Sequence, residues 1–228
     1  MKIAVLGTGM VGRALAGRLS GLGHEVVIGT RDVEATLGRT GTDAMGTPPY
    51  AQWQSQHPDV HLVPLDAAGD HGDLVVNATS GVASLEAIDA VGPQRLDGKV
   101  LLDLAVPFDF SRGMPPTPTI PNTDSIAERI QRAVPRARVV KSLNTVFCDV
   151  MVDPKRVPGA HTLFVSGDDA AAKATVTALL GEFGWSADSV LDLGGIQTAR
   201  NVEMYMLLYF NLAGVLQTFD FNIAVVRG

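Results

Sequence analysis

A glycine-rich turn near the start of the chain constrains its fold more than any other feature. Residues 1–6 form a short apolar run typical of a strand, and residues 13–22 have the pattern of a helix. Between them, Gly7, Gly9 and Gly12 give a GxGxxG spacing. The three glycines permit a tight turn, close approach of a pyrophosphate and close packing of helix on strand, and the helix start favours phosphate. We therefore predict a dinucleotide-binding turn formed by Gly7, Thr8, Gly9, Met10, Val11 and Gly12.

The residues after the second predicted strand, 25–28, indicate which dinucleotide is bound. Enzymes that use NAD usually place a carboxylate at this strand end, whereas an arginine there suits the 2′-phosphate of NADP. Here Thr30 and Arg31 offer a hydroxyl and a planar guanidinium, and Asp32 lies beyond the predicted strand. Both donors suit a phosphate dianion, so we predict NADP(H). The alternative is that Arg31 and Asp32 form a solvated ion pair of little energetic weight.

Composition excludes several classes of protein. With 46% hydrophobic and 18% charged residues, the 228-residue chain is expected to fold as one large domain, or as one domain with a small appendage. A net charge of −6 without a basic run argues against nucleic acid as a partner. The single cysteine, Cys148, excludes an intramolecular disulfide and a multi-thiol metal site, and we expect a buried, inert thiol.

No membrane association is expected. The apolar stretch 204–219 is interrupted by Asn211 and Gln217 and is shorter than the roughly 20 residues that span a bilayer, so a buried helix is the better interpretation. Because the first strand begins at residue 1 with no signal-peptide pattern before it, we expect a cytoplasmic protein.

Strand and helix patterns alternate along the chain, which predicts an α/β fold. We expect a Rossmann-like, doubly wound and mainly parallel sheet with a C-terminal helical extension. Residues 1–192 would form the NADP-binding domain, and residues 193–228 a helical segment for packing and dimerisation. An irregular insertion is predicted at 39–59 and a proline-rich loop without regular structure at 108–122.

Small and polar residues follow several predicted strands at the sheet edge where ligands of open parallel sheets bind. Any one of Asn77, Thr79 and Asn144 could instead cap a helix or satisfy a loop, and their shared location at strand ends favours the functional interpretation. The predicted cofactor contacts at these ends are Asn77, Ala78, Thr79, Ala105, Val106, Asn144 and Thr145.

Groups for acid–base catalysis are not evident, and the sequence identifies no catalytic residue. None of the five histidines falls at a predicted strand end, Asp103 lies within a strand, and Asp109 lies in a loop. No metal-ligand spacing is present, so no metal site is predicted. Such a site suits hydride transfer to an acceptor that solvent can protonate, such as a second redox cofactor.

Four segments in this order resemble the family of NADP oxidoreductases that use the deazaflavin coenzyme F-420, and the related domain of membrane-bound ferric reductases. They are IAVLGTGMVGRALAGRLSGLGHEVVIGTRD, KSLNTV, VSGDD and LDLGGIQTAR. The resemblance implies that Thr30 and Arg31 hold the 2′-phosphate, and that residues 144–146 lie beside the nicotinamide and the deazaflavin. The chain departs from the best-known members in its longer link at 39–59 and in having Asn144 where they carry histidine.

Other acceptors and another class of protein stay open as alternatives. The acceptor of the hydride would then be a different flavin, a quinone or a small organic substrate. β-Hydroxyacid dehydrogenases share the opening turn, but the terminal helix lacks the lysine that they use. A non-catalytic NADPH sensor would keep the turn and Arg31. Apolar residues cover more than one face of the terminal helix, predicted at about 198–220, so we also expect a homodimer.

Overall fold

Eight strands form a single twisted sheet in the part of the chain that the computed structural model describes, residues 1–43 and 46–228. A short antiparallel ribbon of two further strands lies apart from it. The strands are β1 (Lys2–Leu6), β2 (Glu25–Thr30), β3 (His61–Pro64), β4 (Leu74–Asn77), β5 (Val100–Asp103), β6 (Phe108–Asp109), β7 (Thr117–Pro118), β8 (Arg138–Ser142), β9 (Leu163–Ser166) and β10 (Val190–Asp192).

Helices cover both faces of the sheet. Residues of β1 alternate between two cores, because successive side chains of a strand point to opposite faces. Ile3 packs in one core with residues of the first and eighth helices, and Ala4 packs in the other with residues of the fifth and sixth. The helices are α1 (Met10–Gly21), α2 (Val33–Leu37), α3 (Tyr50–Ser55), α4 (Leu65–His71), α5 (Ser84–Val91), α6 (Ile126–Ala133), α7 (Cys148–Val152), α8 (Ala170–Phe183) and α9 (Ala199–Leu216).

The order of the strands is β10-β9-β8-β5-β4-β1-β2-β3. All neighbours in this sheet are parallel except β8 and β9, which are antiparallel. The chain runs from β1 to β3 in one direction and then returns to the other side of β1 with β4. This reversal opens a crevice at the carboxyl ends of β1 and β4, where doubly wound proteins bind ligands. The predicted Rossmann-like, mainly parallel fold is confirmed.

Several predicted boundaries are wrong. Helix α1 begins at Met10 rather than at residue 13, because Gly9 already occupies the N-cap position. Strand β2 continues to Thr30 rather than ending at residue 28. The sequence pattern predicts the fifth strand at 100–106, but β5 ends at Asp103, where the side-chain carboxylate accepts a hydrogen bond from the Ala105 amide. The loop predicted at 108–122 contains the β6–β7 ribbon.

The terminal helix ends at residue 216 rather than at about residue 220. Gln217 adopts a left-handed conformation with φ of +53°, which stops the helix. The following tail folds back on the domain. The amide of Thr162 donates to the Ile223 carbonyl at 2.8 Å, and the Phe221 ring stacks on Tyr209 at 4.8 Å between centroids. The tail therefore contacts both α9 and the residue that precedes β9.

Candidate functional site

The glycine turn is shaped by close backbone contacts. Gly7 has φ of +113°, a conformation that other residues rarely adopt, and a Cβ there would lie 2.7 Å from the Ala78 carbonyl oxygen. A Cβ on Gly12 would collide with the Gly7 carbonyl oxygen. In contrast, a Cβ on Gly9 would meet nothing within 4 Å. The first and third glycines thus serve the packing of the turn, whereas the second keeps the space in front of the α1 N-terminus free.

A cleft of about 550 Å³ opens from this turn along the end of β2. Its polar wall contains Thr30, Arg31, Thr36 and Arg39. The Thr30 and Thr36 hydroxyls lie 2.9 Å apart and form a hydrogen bond. The remaining lining residues are Gly7, Thr8, Gly9, Gly29, Asp32, Leu65, Ala78, Thr79, Ser80, Ala83 and Ala87.

Asp32 acts as a helix cap. Its carboxylate accepts a hydrogen bond from the Ala35 amide at 2.8 Å at the N-terminus of α2. Within the described ranges, Arg31 forms no ion pair, so the alternative of an Arg31–Asp32 pair is not what the structure shows. The guanidinium of Arg31 is exposed at the mouth of the cleft.

Hydrogen bonds of buried side chains fix the conformation of the loop after β4. The buried Asn77 amide donates to Asp103 Oδ1 at 2.7 Å and to Ser84 Oγ at 3.1 Å, and its oxygen accepts from the Thr79 hydroxyl at 2.6 Å. Both predicted polar side chains of this loop therefore make supporting bonds within the protein. A Cβ on Gly81 would collide with the Val106 carbonyl, so this loop lies directly against the segment that contains Ala105 and Val106.

Sequence reasoning missed a buried cluster of charges next to this loop. The ammonium of Lys141 contacts Asp103 Oδ2 at 2.9 Å, Glu203 Oε1 at 2.8 Å and the Ala105 carbonyl, and all three charged side chains are at most 1% exposed. Glu203 also accepts bonds from the amides of Ile126 and residue 127 at the start of α6. The signal was a charged residue directly after an apolar pair in each of two strands, Asp103 in VLLD and Lys141 in RVVKS, since a buried charge requires a partner.

Burial by itself would lower the pKa of Lys141, but the carboxylates of Asp103 and Glu203 outweigh it and hold that pKa above its usual range. Burial, assisted by the nearby Asp103, raises the pKa of Glu203 even though Lys141 opposes the shift. Two carboxylates thus share one ammonium, and the start of α6 supplies further positive potential. Titratable groups thus lie at this edge of the sheet, but they are sealed from solvent.

The exit of β8 is strained. Leu143 is buried with φ of +63°, and the Asn144 amide donates to the Ser142 carbonyl at 2.8 Å, which closes a tight three-residue turn. The Asn144 side chain donates to the Val202 carbonyl of α9 at 2.9 Å. The Thr145 hydroxyl oxygen is buried and has no hydrogen-bond partner within the protein. This turn therefore presents one unpaired hydroxyl next to the docked helix.

The surroundings of Cys148 make its thiol unreactive. Burial and the adjacent Asp149 carboxylate raise the pKa of the Cys148 thiol to about 12, so the expectation of an inert thiol is met. Over the described ranges, no three His, Cys, Asp or Glu side chains come together in a way that could hold a metal ion. No helix of the described chain is long and apolar enough to cross a membrane.

The chain is similar to known NADP oxidoreductases. The model of the family described as coenzyme F-420-dependent NADP oxidoreductase matches residues 2–107. A crystal structure from Arthrobacter sp. FB24, provisionally described as an F-420-dependent NADP reductase, is 52% identical over 100% of both chains, with a TM-score of 0.93.

Two curated proteins show more distant similarity. The F-420-dependent NADP reductase of Methanothermobacter marburgensis is 29% identical over 220 residues, which are 93% of this chain and 92% of that protein. The metalloreductase STEAP3 of Rattus norvegicus is 28% identical over 202 residues, and this match covers 89% of the present chain but only 36% of that protein.

Proposed function

This chain belongs to the family of coenzyme F-420-dependent NADP oxidoreductases and is an NADP-dependent oxidoreductase, and from this premise we propose that it transfers a hydride between NADPH and coenzyme F-420. The observation that carries the proposal is the cleft at the switch in strand order, which joins an open glycine turn to a strand end with Arg31.

The residues of the cleft fit NADPH. The space beside Gly9 at the start of α1 suits the pyrophosphate, because free amides and the helix dipole favour anions there. Thr30 and Arg31 would bind the 2′-phosphate as charge-assisted donors. The contacts proposed along the rest of the cofactor are Thr8, Met10, Val11, Asn77, Ala78, Thr79, Ala105, Val106, Asn144 and Thr145.

We propose that the acceptor binds beside the β5 exit and α9. An apolar cluster of Phe108, Met206 and Tyr209, with Val106 packed against it, lies between the β5 exit and α9. The unpaired hydroxyl of Thr145 would gain a hydrogen bond from a polar ligand atom, since a buried polar group without a partner is costly. Bound there, a deazaflavin supplies a ring carbon that accepts a hydride.

The protein's own contribution is positioning. Because Asn144 fastens the β8 exit to α9 and Lys141 fastens Ala105 to the same helix, the two walls of the acceptor side are held at a fixed separation. Fixed placement of two reactants accounts for a large share of catalysis when no proton needs to be moved by the protein. The Lys141 cluster is fully enclosed, so protonation of the product is left to solvent.

The proposal is tested with a panel of acceptors. Purified protein is mixed under anaerobic conditions with NADPH and either F-420, FMN or a soluble quinone, and the absorbance of each acceptor is followed. We expect bleaching of F-420 at a rate well above that of the other acceptors. If FMN or the quinone is reduced faster than F-420, that compound and not F-420 is the acceptor. Tight NADPH binding without reduction of any acceptor would favour a sensor.

Thr145→Val is the matched variant for this experiment. It replaces the hydroxyl by a methyl group of similar size and breaks no hydrogen bond within the protein. We expect slower reduction of F-420 at saturating NADPH, with unchanged thermal stability. If the variant reduces F-420 at the same rate as the unmodified protein, Thr145 does not contact the acceptor.

A further inference from the structure

The segment after α2 forms part of the cofactor cleft. Arg39 lines the 550 Å³ cleft together with Thr30 and Arg31. It also lines an adjoining cavity of about 350 Å³, which reaches Thr8 and Arg13. Arg39 therefore lies at the junction of the two cavities, between the end of β2 and the glycine turn.

This segment is fastened to the same helix that begins at the glycine turn. Arg13 of α1 donates from Nε to the Thr8 carbonyl at 2.7 Å and from a terminal nitrogen to the Pro48 carbonyl. Its guanidinium lies 5.4 Å from the centre of the Tyr50 ring, a cation–π contact with a residue that is buried in the core. Pro48 and Tyr50 of the inserted segment are thus held against α1, and both line the adjoining cavity.

Positively charged side chains without a carboxylate partner among the described residues line this part of the cleft. In the described chain, neither Arg31 nor Arg39 has an ion-pair or hydrogen-bond partner, and the one carboxylate that lines the cleft with them, Asp32, is engaged as the cap of α2. In the adjoining cavity Asp43 lies with Arg39, and its carboxylate accepts a bond from the Thr47 amide at 2.8 Å and interacts with the charge of Arg13. A phosphate monoester carries a charge of about −1.5 to −2 at neutral pH and offers three acceptor oxygens. One guanidinium compensates only part of that charge, and the Thr30–Thr36 hydroxyl pair is neutral.

We propose that Arg39 is a specificity-determining residue that binds the 2′-phosphate of NADPH opposite Arg31. Two planar guanidinium forks then bind one dianion from both sides. The Thr30 hydroxyl donates to Thr36, whose own proton goes to the Asp32 carbonyl, so Thr30 would add a bond by turning from Thr36 to the phosphate. The inference rests on the proposed use of NADPH in this cleft and is independent of which acceptor takes the hydride. It gives the insertion at 39–59 a role in cofactor selection.

NADPH and NADH are the probes of choice, since they differ only in the 2′-phosphate. Their dissociation constants are measured by nicotinamide fluorescence with no acceptor present. We expect Arg39→Ala to weaken NADPH binding about tenfold, which corresponds to about 1.4 kcal/mol, and to change NADH binding by less than about twofold. Arg39→Lys keeps a charge without the planar fork, so its loss should be intermediate.

Two further variants complete the experiment. Arg31→Ala should show the same selective loss, and Arg112→Ala, an exposed arginine between β6 and β7, should change neither constant. Unchanged NADPH affinity of Arg39→Ala would overturn the proposal. Equal weakening of NADPH and NADH would also overturn it, because it would place Arg39 at the pyrophosphate. If F-420 is not reduced, the proposed function is wrong, but the proposal for Arg39 is unaffected because it is tested by the binding constants of NADPH and NADH.

Discussion

At the scale of single residues, the glycines of the first turn differ in what a side chain would meet. A methyl group on Gly9 has free space in the protein alone but would occupy the room assigned to the pyrophosphate, whereas a methyl group on Gly12 collides with the Gly7 carbonyl. The same substitution at two positions of one motif should therefore separate cofactor binding from folding.

We predict that Gly9→Ala keeps the melting temperature within a few degrees and weakens NADPH binding at least about tenfold. Gly12→Ala should lower the unfolding free energy by about 1–3 kcal/mol, as overpacking does. Gly21→Ala, near the end of α1 with nothing within 4 Å, is the control and should leave both quantities almost unchanged. Calorimetry and fluorescence titration measure the two effects. Normal NADPH binding by the Gly9→Ala protein would contradict the proposal that the pyrophosphate lies beside Gly9.

At the scale of elements, α9 is joined to α6 by an ion pair, in addition to the bonds that Glu203 accepts from the α6 amides. Arg200 donates from Nε to Glu128 Oε2 at 2.8 Å, and Glu128 also accepts from the Ser125 hydroxyl at 2.7 Å. Although burial acts to raise the pKa of Glu128, the bonds from Arg200 and Ser125 outweigh it and hold that pKa below the usual 4.5. A lowered pKa means that the charged form stabilises the fold.

Acid should therefore loosen this contact. The contribution of Glu128 is fully present above its unfolded pKa and is lost as the pH falls through the lower folded value. We predict that Glu128→Gln is less stable than the unmodified protein at neutral pH and that the difference shrinks between about pH 5 and about pH 3. Melting curves across this range measure the difference. A difference that is constant with pH would show that the Glu128 charge does not stabilise the docking of α9.

Elements and sites differed in how well the sequence predicted them. The glycine turn and β2 were predictable because each rests on a local pattern of neighbouring residues. The Lys141 cluster was not, because it needs β5, β8 and α9 to meet, and only the fold brings those distant segments together. The antiparallel pairing of β8 with β9 is likewise a property of the connection through α7, which local patterns do not show.

At the scale of the whole molecule, the terminal helix leaves apolar surface uncovered. Val202, Met206 and Tyr209 face the protein, whereas Leu208 is 53% exposed and Val215 is 79% exposed. We propose a homodimer formed through this face, with residues 193–228 as the packing and dimerisation segment. Exposed apolar side chains on a continuous helix face favour association with a second copy.

Sedimentation velocity at micromolar concentration tests the homodimer. The unmodified protein should sediment as a dimer, and the double variant Leu208→Glu with Val215→Glu should sediment as a monomer of unchanged helix content. Leu37→Glu, which changes an exposed leucine on α2, is the control and should leave the dimer intact. A monomeric unmodified protein would contradict the proposed interface.

Direct hydride transfer from NADPH to coenzyme F-420 is the central claim, and a single-turnover experiment with deuterium tests it most directly. The complex of the protein with NADPH deuterated at the transferred position is mixed with oxidised F-420 in ordinary water, and the reduced product is analysed by mass spectrometry. We predict that F-420 is bleached in one turnover, more slowly than with unlabelled NADPH, and that its product carries the deuterium. Absence of bleaching, or a reduced F-420 without deuterium, would contradict direct transfer in this cleft.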